Sequence, residues 1–137
     1  MSRKAIVWID GAARGNPGPS GIGVHIEDGA GGALKELSEY LGGDYTNNQA
    51  EYIALIRALE ECRALKVDEI EVRSDSQLLV RQMNGRYRVR SDNIRDLHEK
   101  ARKIESDLGN VSYVHIDREN NSIADELANN AIDDKDE

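Results

Sequence analysis

The chain has 137 residues, of which 39% are hydrophobic, and its formal net charge is −8. This length suits one domain with one core, and no apolar run approaches the roughly 20 residues that a membrane-spanning helix needs. The single cysteine, Cys62, has no internal disulfide partner, and its aliphatic neighbours predict a buried hydrophobic role. No signal peptide is visible, so we expect a cytoplasmic protein.

Three strands are predicted at the start of the chain. Residues 4–10 are almost continuously apolar, which is typical of a central strand covered on both faces. Residues 21–27 alternate, and residues 33–40 follow a glycine-rich turn, which indicates an antiparallel meander. The glycines at 42 and 43 are expected to end the third strand.

Helices and strands then alternate. We predict helices at 47–65, 76–83, 92–107 and 122–132, and strands at 69–74 and 111–116. This order indicates an α/β protein with a mixed five-stranded sheet and helices on its faces. We assign residues 1–132 to a single domain and expect residues 133–137 to form an acidic, disordered tail.

Four carboxylates stand where a globular domain has little use for acids. Asp10 ends the first strand and Asp75 ends the fourth, whereas Glu51 and Asp125 lie on predicted helices beside apolar positions. Acids that converge at the edge of a core repel one another and lose solvation. Divalent cations relieve both penalties because they prefer oxygen ligands, so the pattern is typical of a two-metal phosphoryl-transfer site.

Each acid also has an ordinary structural explanation. Asp10 can form an Asp-Gly turn, and Asp75 can cap the short helix that follows it. Glu51 can close a capping box at the start of its helix, although residues 46–49 offer the same box earlier in the chain. Asp125 can be a solvated helix acid. Taken singly, none of the four is decisive.

Four motifs, in order along nearly the whole chain, resemble those of ribonuclease H type 1. They are DGAARGNPGPSG at 10–21, TNNQAE at 46–51, SDSQ at 74–77 and HIDRENNSIADELA at 115–128. The resemblance implies a ribonuclease H-like sheet in which strands 1–3 are antiparallel, strands 4 and 5 run parallel to strand 1, and helices cover both faces. It also implies an endonuclease that hydrolyses the RNA strand of RNA–DNA hybrids and leaves 5′-phosphate and 3′-hydroxyl ends.

The resemblance further implies roles for the site residues. Asp10 would bridge two Mg²⁺ ions, for which Mn²⁺ could substitute. Asp125 would help to hold the ion that activates the water, and Glu51 and Asp75 would hold the ion that stabilises the leaving 3′ oxygen. His115 matches the position that helps the product to leave.

The positions that the resemblance assigns to the substrate mostly carry short polar side chains. Those that would contact the RNA strand, largely through 2′-hydroxyl groups, are Gly11, Asn16, Asn48 and Gln77. Those placed against the backbone of either strand are Asn16, Thr46 and Asn47. Amide groups both donate and accept, which suits contacts that do not depend on the base. Arg118 can bind a phosphate or pair with Asp117 or Glu119.

The net charge argues against nucleic-acid binding, because such proteins are usually basic, but cations held at the acidic site would offset part of it. The chain also lacks the long basic "handle" of the best-known bacterial members, as is typical of archaeal and some bacterial ones. Its densest basic cluster is Arg86, Arg88 and Arg90. Taken alone, this cluster is more typical of a solvated loop between two helices, but the loop follows the helix that begins beside Asp75 and can lie along the DNA strand.

We therefore expect an RNA–DNA hybrid as partner, no membrane, no obligate protein partner and a monomer. Two other interpretations stay open. One is another two-metal nuclease or transposase-like domain, and the other is a non-catalytic nucleic-acid-binding module of the same fold.

Overall fold

The computed structural model describes residues 3–135, so the last two residues of the predicted acidic tail lie outside the described part. The strands are β1 (Lys4–Ala13), β2 (Gly18–Asp28), β3 (Ala33–Tyr45), β4 (Glu69–Ser74) and β5 (Asn110–His115). The helices are α1 (Asn47–Leu65), α2 (Gln77–Met83), α3 (Asp92–Glu105) and α4 (Ser122–Asp133), and a 3₁₀ turn spans Arg118–Asn120.

The five strands form one mixed sheet in the order β3-β2-β1-β4-β5. β1 pairs antiparallel with β2, and β2 with β3, whereas β4 runs parallel to both β1 and β5. The predicted fold is confirmed. β4 ends opposite the middle of β1, where Ser74 pairs with Ile9, so the residue that follows β4 lies beside Asp10.

The core lies between the sheet and α1. Ala5, Val7 and Ile9 point to this side from β1 and are fully buried. The apolar stripe of α1 that faces them, including Leu55 and Cys62, is also fully buried. Burial raises the pKa of the Cys62 thiol to about 12, as expected for a core residue.

β3 continues beyond the point where its glycines predict an end. It reaches Tyr45 through Gly42, whose φ of +112° is open to glycine at little cost. The register shifts here, because Gly42 pairs with Ser20 whereas Tyr40 pairs with Gly21. The extra residue makes an irregularity of the bulge type, and the longer strand delivers the chain directly to the start of α1.

The end of the chain differs from the predicted tail. Asp133 is the last residue of α4, and its Oδ1 lies 2.6 Å from Nη1 of Arg14. Asp133 is therefore part of the last helix, although the sequence assigns it to the disordered tail. Within residues 3–135, no helix combines the length and the apolar character that crossing a bilayer requires.

Candidate active site

Asp10 lies on the face of β1 that α4 covers. Its ladder partner is Gly23, where a Cβ would come within 2.1 Å of the Ala124 carbonyl oxygen. A glycine in a strand marks such a close approach, and here it lets α4 settle onto the sheet. Asp10 is only 5% exposed, whereas Ile6 and Trp8 on the same face are half-buried. The covered face that the sequence predicts is therefore complete only near Asp10.

Glu51 reaches the site from α1, and it is not the helix cap. The capping box belongs to Thr46, whose Oγ1 accepts the Gln49 N–H at 3.1 Å while Gln49 Oε1 accepts the Thr46 N–H at 2.9 Å. A Cβ on Gly11 would lie 2.2 Å from the carbonyl carbon of Ala50, so the α1 backbone rests directly on β1. This contact places Glu51, 8% exposed, against the end of the strand.

Asp75 is also free of a capping role. Ser76 is the N-cap of α2, and its Oγ accepts the Leu79 N–H at 3.2 Å. The Ser76 N–H is held by Oγ of Ser74 at 3.0 Å. These bonds turn the chain sharply after β4 and leave the half-buried Asp75 beside Asp10. The structure thus removes the ordinary explanations for Glu51 and Asp75.

Asp10, Glu51 and Asp75 form one cluster, in which each offers an oxygen within 4.8 Å of the others. Burial, then the charge of Asp75, then Asp125 raise the pKa of Asp10 to about 8. Burial, then the charges of Asp10 and Asp75, raise the pKa of Glu51 well above its usual value.

The cluster fits a divalent cation. Within the described part of the chain, the buried oxygens Oε2 of Glu51 and Oδ2 of Asp75 have no hydrogen-bond partner. A carboxylate oxygen that is shielded from water and has no hydrogen-bond partner destabilises the fold. A set of ligands made only of oxygen atoms suits Mg²⁺ or Mn²⁺. A cation held here would favour the ionised forms of Asp10 and Glu51.

Asp125 stands at the edge of this cluster. It is half-buried in the first turn of α4 and lines the same cavity, but it is not among the three acids that meet within 4.8 Å. Asn129, one turn later, donates from Nδ2 to Oδ1 of Asp125 at 3.3 Å and to its carbonyl oxygen at 3.0 Å. Asp125 therefore contributes charge to the site from its rim.

Two neighbouring cavities lie along the site. The first, of about 420 Å³, holds the acids together with Arg14 and Arg118. The second, of about 380 Å³, is lined by Asn16, Thr46, Ser91, Asn93 and Ile94. Asn47 and Asn48 line both cavities, so a groove leads from the acids along the start of α1 toward the start of α3.

The asparagines of this groove are partly used by the fold. Oδ1 of Asn47 accepts the Ala13 N–H at 2.9 Å, and Oδ1 of Asn16 accepts the Asn47 N–H at 3.1 Å. These bonds hold the end of β1 and the loop after it against α1. They occupy the two Oδ1 atoms, so the NH₂ groups of Asn16 and Asn47 are left to donate to a ligand. Asn48 is exposed in the groove.

The other predicted site residues lie further out. Gln77 is exposed at the first position of α2, and His115 is exposed at the end of β5, where it pairs with Ser74. Neither lines the cavity of the acids. Arg118 does line it, and within residues 3–135 it forms no ion pair with Asp117 or Glu119.

Sequence reasoning missed several residues that build the site. Asn121 is 1% exposed and donates from Nδ2 to the Ile9 carbonyl at 2.9 Å, which ties the start of α4 to β1. Gly21 and Gly23 admit α4, and Asn129 contacts Asp125. Only the glycines carried a signal, because glycines two apart in a strand mark one face as a contact.

Comparison with known proteins identifies related chains. Residues 9–131 match a family described as reverse transcriptase-like. The chain is 42% identical over 127 residues to a ribonuclease HI of Halobacterium salinarum, covering 93% of this chain and 63% of that protein. It is 36% identical to a bifunctional protein of Mycobacterium tuberculosis, covering 95% of this chain and 36% of that protein. The chain thus spans less than two thirds of these relatives.

Among solved structures, LC11-RNase H1 in complex with an RNA/DNA hybrid superposes with a TM-score of 0.92 at 48% identity. The match covers 97% of this chain and 99% of that one.

Proposed function

The chain belongs to the ribonuclease H type 1 family, and we propose that it is an endonuclease that hydrolyses the RNA strand of RNA–DNA hybrids. One observation carries this proposal. Two buried carboxylates, Asp10 and Glu51, and the half-buried Asp75 converge at one end of an open groove lined by amide side chains, and within residues 3–135 none of the three forms an ion pair. Such a site is suited to a metal-dependent attack on a phosphodiester.

We propose that Asp10, Glu51, Asp75 and Asp125 hold two Mg²⁺ ions, or Mn²⁺ in their place. When bound, such ions activate a water and stabilise the leaving 3′ oxygen, which yields 5′-phosphate and 3′-hydroxyl ends. Burial of the acids favours this role, because a dry carboxylate cluster gains most from added positive charge.

The groove residues would position the hybrid. Asn16 and Asn47 offer amide donors whose oxygens are already bonded to the fold, so their orientation is set before the substrate binds. Contacts to 2′-hydroxyls distinguish RNA from DNA, and Asn48 and Gly11, which line the cavity of the acids, would make such contacts. Thr46, which lines the second cavity, would contact the substrate there. Gln77 and His115 would be substrate or product contacts outside the two cavities.

The basic loop would extend this binding surface. Arg86, Arg88 and Arg90 are exposed, and within residues 3–135 none of them is paired with a carboxylate. The loop ends at Ser91, which lines the second cavity. Tyr87 has one role inside the protein, since its hydroxyl accepts from Nη1 of Arg81 at 2.6 Å. The arginines rather than the ring are therefore the groups free to meet phosphates.

The decisive experiment is cleavage of an RNA–DNA hybrid labelled on the RNA strand, with Mg²⁺, with Mn²⁺ and with a chelator. We expect cleavage with either metal and none with the chelator. Ligation of the products to an acceptor strand would identify the 5′-phosphate ends. Equal cleavage of duplex DNA would instead favour the transposase-like alternative, and binding without any cleavage would favour the non-catalytic module.

A further inference from the structure

Arg14 is a cation in the cavity of the acids that the motif comparison does not assign to any role. It follows β1 in the loop whose Gly15 has a φ of +102°. The loop is closed by a bond from the Arg14 N–H to the Pro19 carbonyl at 2.8 Å. The backbone of Arg14 is therefore fixed by this bond. The side chain of Arg14 lines the cavity and is 46% exposed.

A short polar chain connects Arg14 to the site. Its Nη2 donates to Oδ1 of Asn129 at 3.4 Å, and Nδ2 of Asn129 donates to Oδ1 of Asp125 at 3.3 Å. A guanidinium only donates and a carboxylate only accepts, so the amide between them presents its oxygen to Arg14 and its nitrogen to Asp125. The Asn129 side chain thus bridges Arg14 and Asp125, which is a proposed metal-binding acid.

The second contact of Arg14 is easily exchanged. Nη1 lies 2.6 Å from Oδ1 of Asp133, but the side chains are 46% and 55% exposed. An exposed ion pair of this kind contributes little to stability. A phosphodiester oxygen is an anionic acceptor like the Asp133 carboxylate, and a guanidinium binds it with good geometry.

From these contacts we infer that Arg14 is a substrate-binding residue. It exchanges its ion pair with Asp133 for a phosphate of the nucleic-acid strand that enters the cavity. Asp133 holds the side chain at the rim of the cavity in the free protein and competes with the substrate for it. This inference rests on the proposed function, since the phosphate belongs to the hybrid.

The first test replaces Arg14 by Ala and by Lys. Hybrid affinity is measured by fluorescence anisotropy in the Asp10→Asn background, where the strand is not cut, and KM and kcat are measured in the active protein. We expect Arg14→Ala to raise Kd and KM about threefold to tenfold with kcat nearly unchanged. The log–log salt slope should fall by about one. Arg14→Lys should keep the slope and part of the affinity.

The second test separates the ion pair from general charge. Asp133→Ala should tighten binding more than Asp134→Ala, which removes the same charge from an adjacent exposed residue that forms no ion pair within residues 3–135. In an Arg14→Ala background the two aspartate variants should bind equally. Equal effects of the two variants while Arg14 is present would overturn the competition by Asp133.

Two further results would overturn the binding role of Arg14. One is an Arg14→Ala variant with unchanged Kd and salt slope. The other is a variant with lower kcat at unchanged Kd, which would make Arg14 a positioning residue that acts on Asp125 through Asn129. A wild-type protein that cuts no hybrid at all would refute the proposed function itself, so the two failures are distinguishable.

Discussion

Two clusters of acidic side chains on the same sheet differ in how their charges are compensated. In the active-site cluster, Asp10, Glu51 and Asp75 meet at the end of β1. Arg14 and Arg118 line the same cavity, but within residues 3–135 none of the three acids forms an ion pair. The raised pKa values of Asp10 and Glu51 record the resulting cost. The repulsion among these carboxyl groups is therefore not compensated by an ion pair within residues 3–135.

The second group, here called the His25 cluster, contains His25, Glu27 and Glu36. Nδ1 of His25 lies 2.6 Å from Oε2 of Glu36, and Nε2 lies 2.7 Å from Oε2 of Glu27. Each ring nitrogen of His25 therefore has a carboxylate oxygen as its partner. His25 is 6% exposed and packs against Trp8, with ring centroids 5.5 Å apart.

The comparison shows which acids the protein pairs by itself. Where acids serve the sheet, at Glu27 and Glu36, the chain supplies its own donor. Where they would serve catalysis, residues 3–135 supply no ion-pair partner, and a bound cation would provide the compensating charge. Buried carboxyl groups without an ion-pair partner within residues 3–135 therefore distinguish the candidate active site from the His25 cluster on the neighbouring strand pair.

Removing one unpaired acid should have the largest effect on activity. Asp10→Asn should lower hybrid cleavage by roughly a thousandfold or more, because several kcal/mol of transition-state stabilisation from bound metal would be lost. The measurement is single-turnover cleavage with Mg²⁺, with circular dichroism to show that the fold persists. Near-normal cleavage by Asp10→Asn would remove Asp10 from the site.

The same acid should control the pH dependence of stability. Folded Asp10 keeps its proton up to about pH 8, whereas the ordinary value is 3.8. The folded protein therefore binds more protons between these values, and the free energy of unfolding should fall as pH rises from about 4 to about 8. We expect a decrease of a few kcal/mol in metal-free protein and a smaller one in Asp10→Asn.

Urea unfolding at several pH values, with and without Mg²⁺, measures this effect. Mg²⁺ should restore stability at the alkaline end in the wild type and much less in Asp10→Asn, because a ligand that binds only the folded state stabilises it. A metal-free wild type that grows more stable over this range would contradict the assignment.

Arginines also divide into those that have a carboxylate partner in the protein and those that have none within residues 3–135. Replacing Arg86, Arg88 and Arg90 by Ala should raise KM about tenfold with little change in kcat, and should flatten the salt dependence of binding. Arg57 provides the control, since it is paired with Glu39 at 2.8 Å and contacts two further glutamates. Arg57→Ala should lower stability slightly and leave KM unchanged. An unchanged KM in the triple variant would place the loop outside the binding surface.

The smallest effect is expected in the His25 cluster. His25→Ala removes two hydrogen bonds and the contact with Trp8, and should lower the free energy of unfolding by about 1–2 kcal/mol. The fold should keep its activity and its stabilisation by Mg²⁺. A folded His25→Ala protein that has lost cleavage would show that the two clusters are coupled and that the contrast between them fails.

Much of the fold could be predicted from local sequence. The bounds of α1 and β4 agree with the expectation, because an apolar stripe and an alternating strand are patterns of neighbouring residues. The end of β3 could not be predicted, because Gly42 is as compatible with a bulge inside a strand as with a break.

The site divides in the same way. The four acids could be proposed as site residues because each stands at a recognisable place on an element and within a motif. Whether Glu51 and Asp75 were caps or site residues could not be decided from spacing. That question depended on which hydroxyl, that of Thr46 or of Ser76, lay within reach of the helix amides.

The sequence by itself therefore determined the elements, their order and the acids that they carry. Only the tertiary structure decided which charges are paired. Arg14 and Asp133 are 119 positions apart, and Asp10 meets Glu51 because Gly11 and Gly23 let two helices rest on the sheet. Such contacts depend on how closely the elements pack, which is set by the whole core and not by the preferences of neighbouring residues.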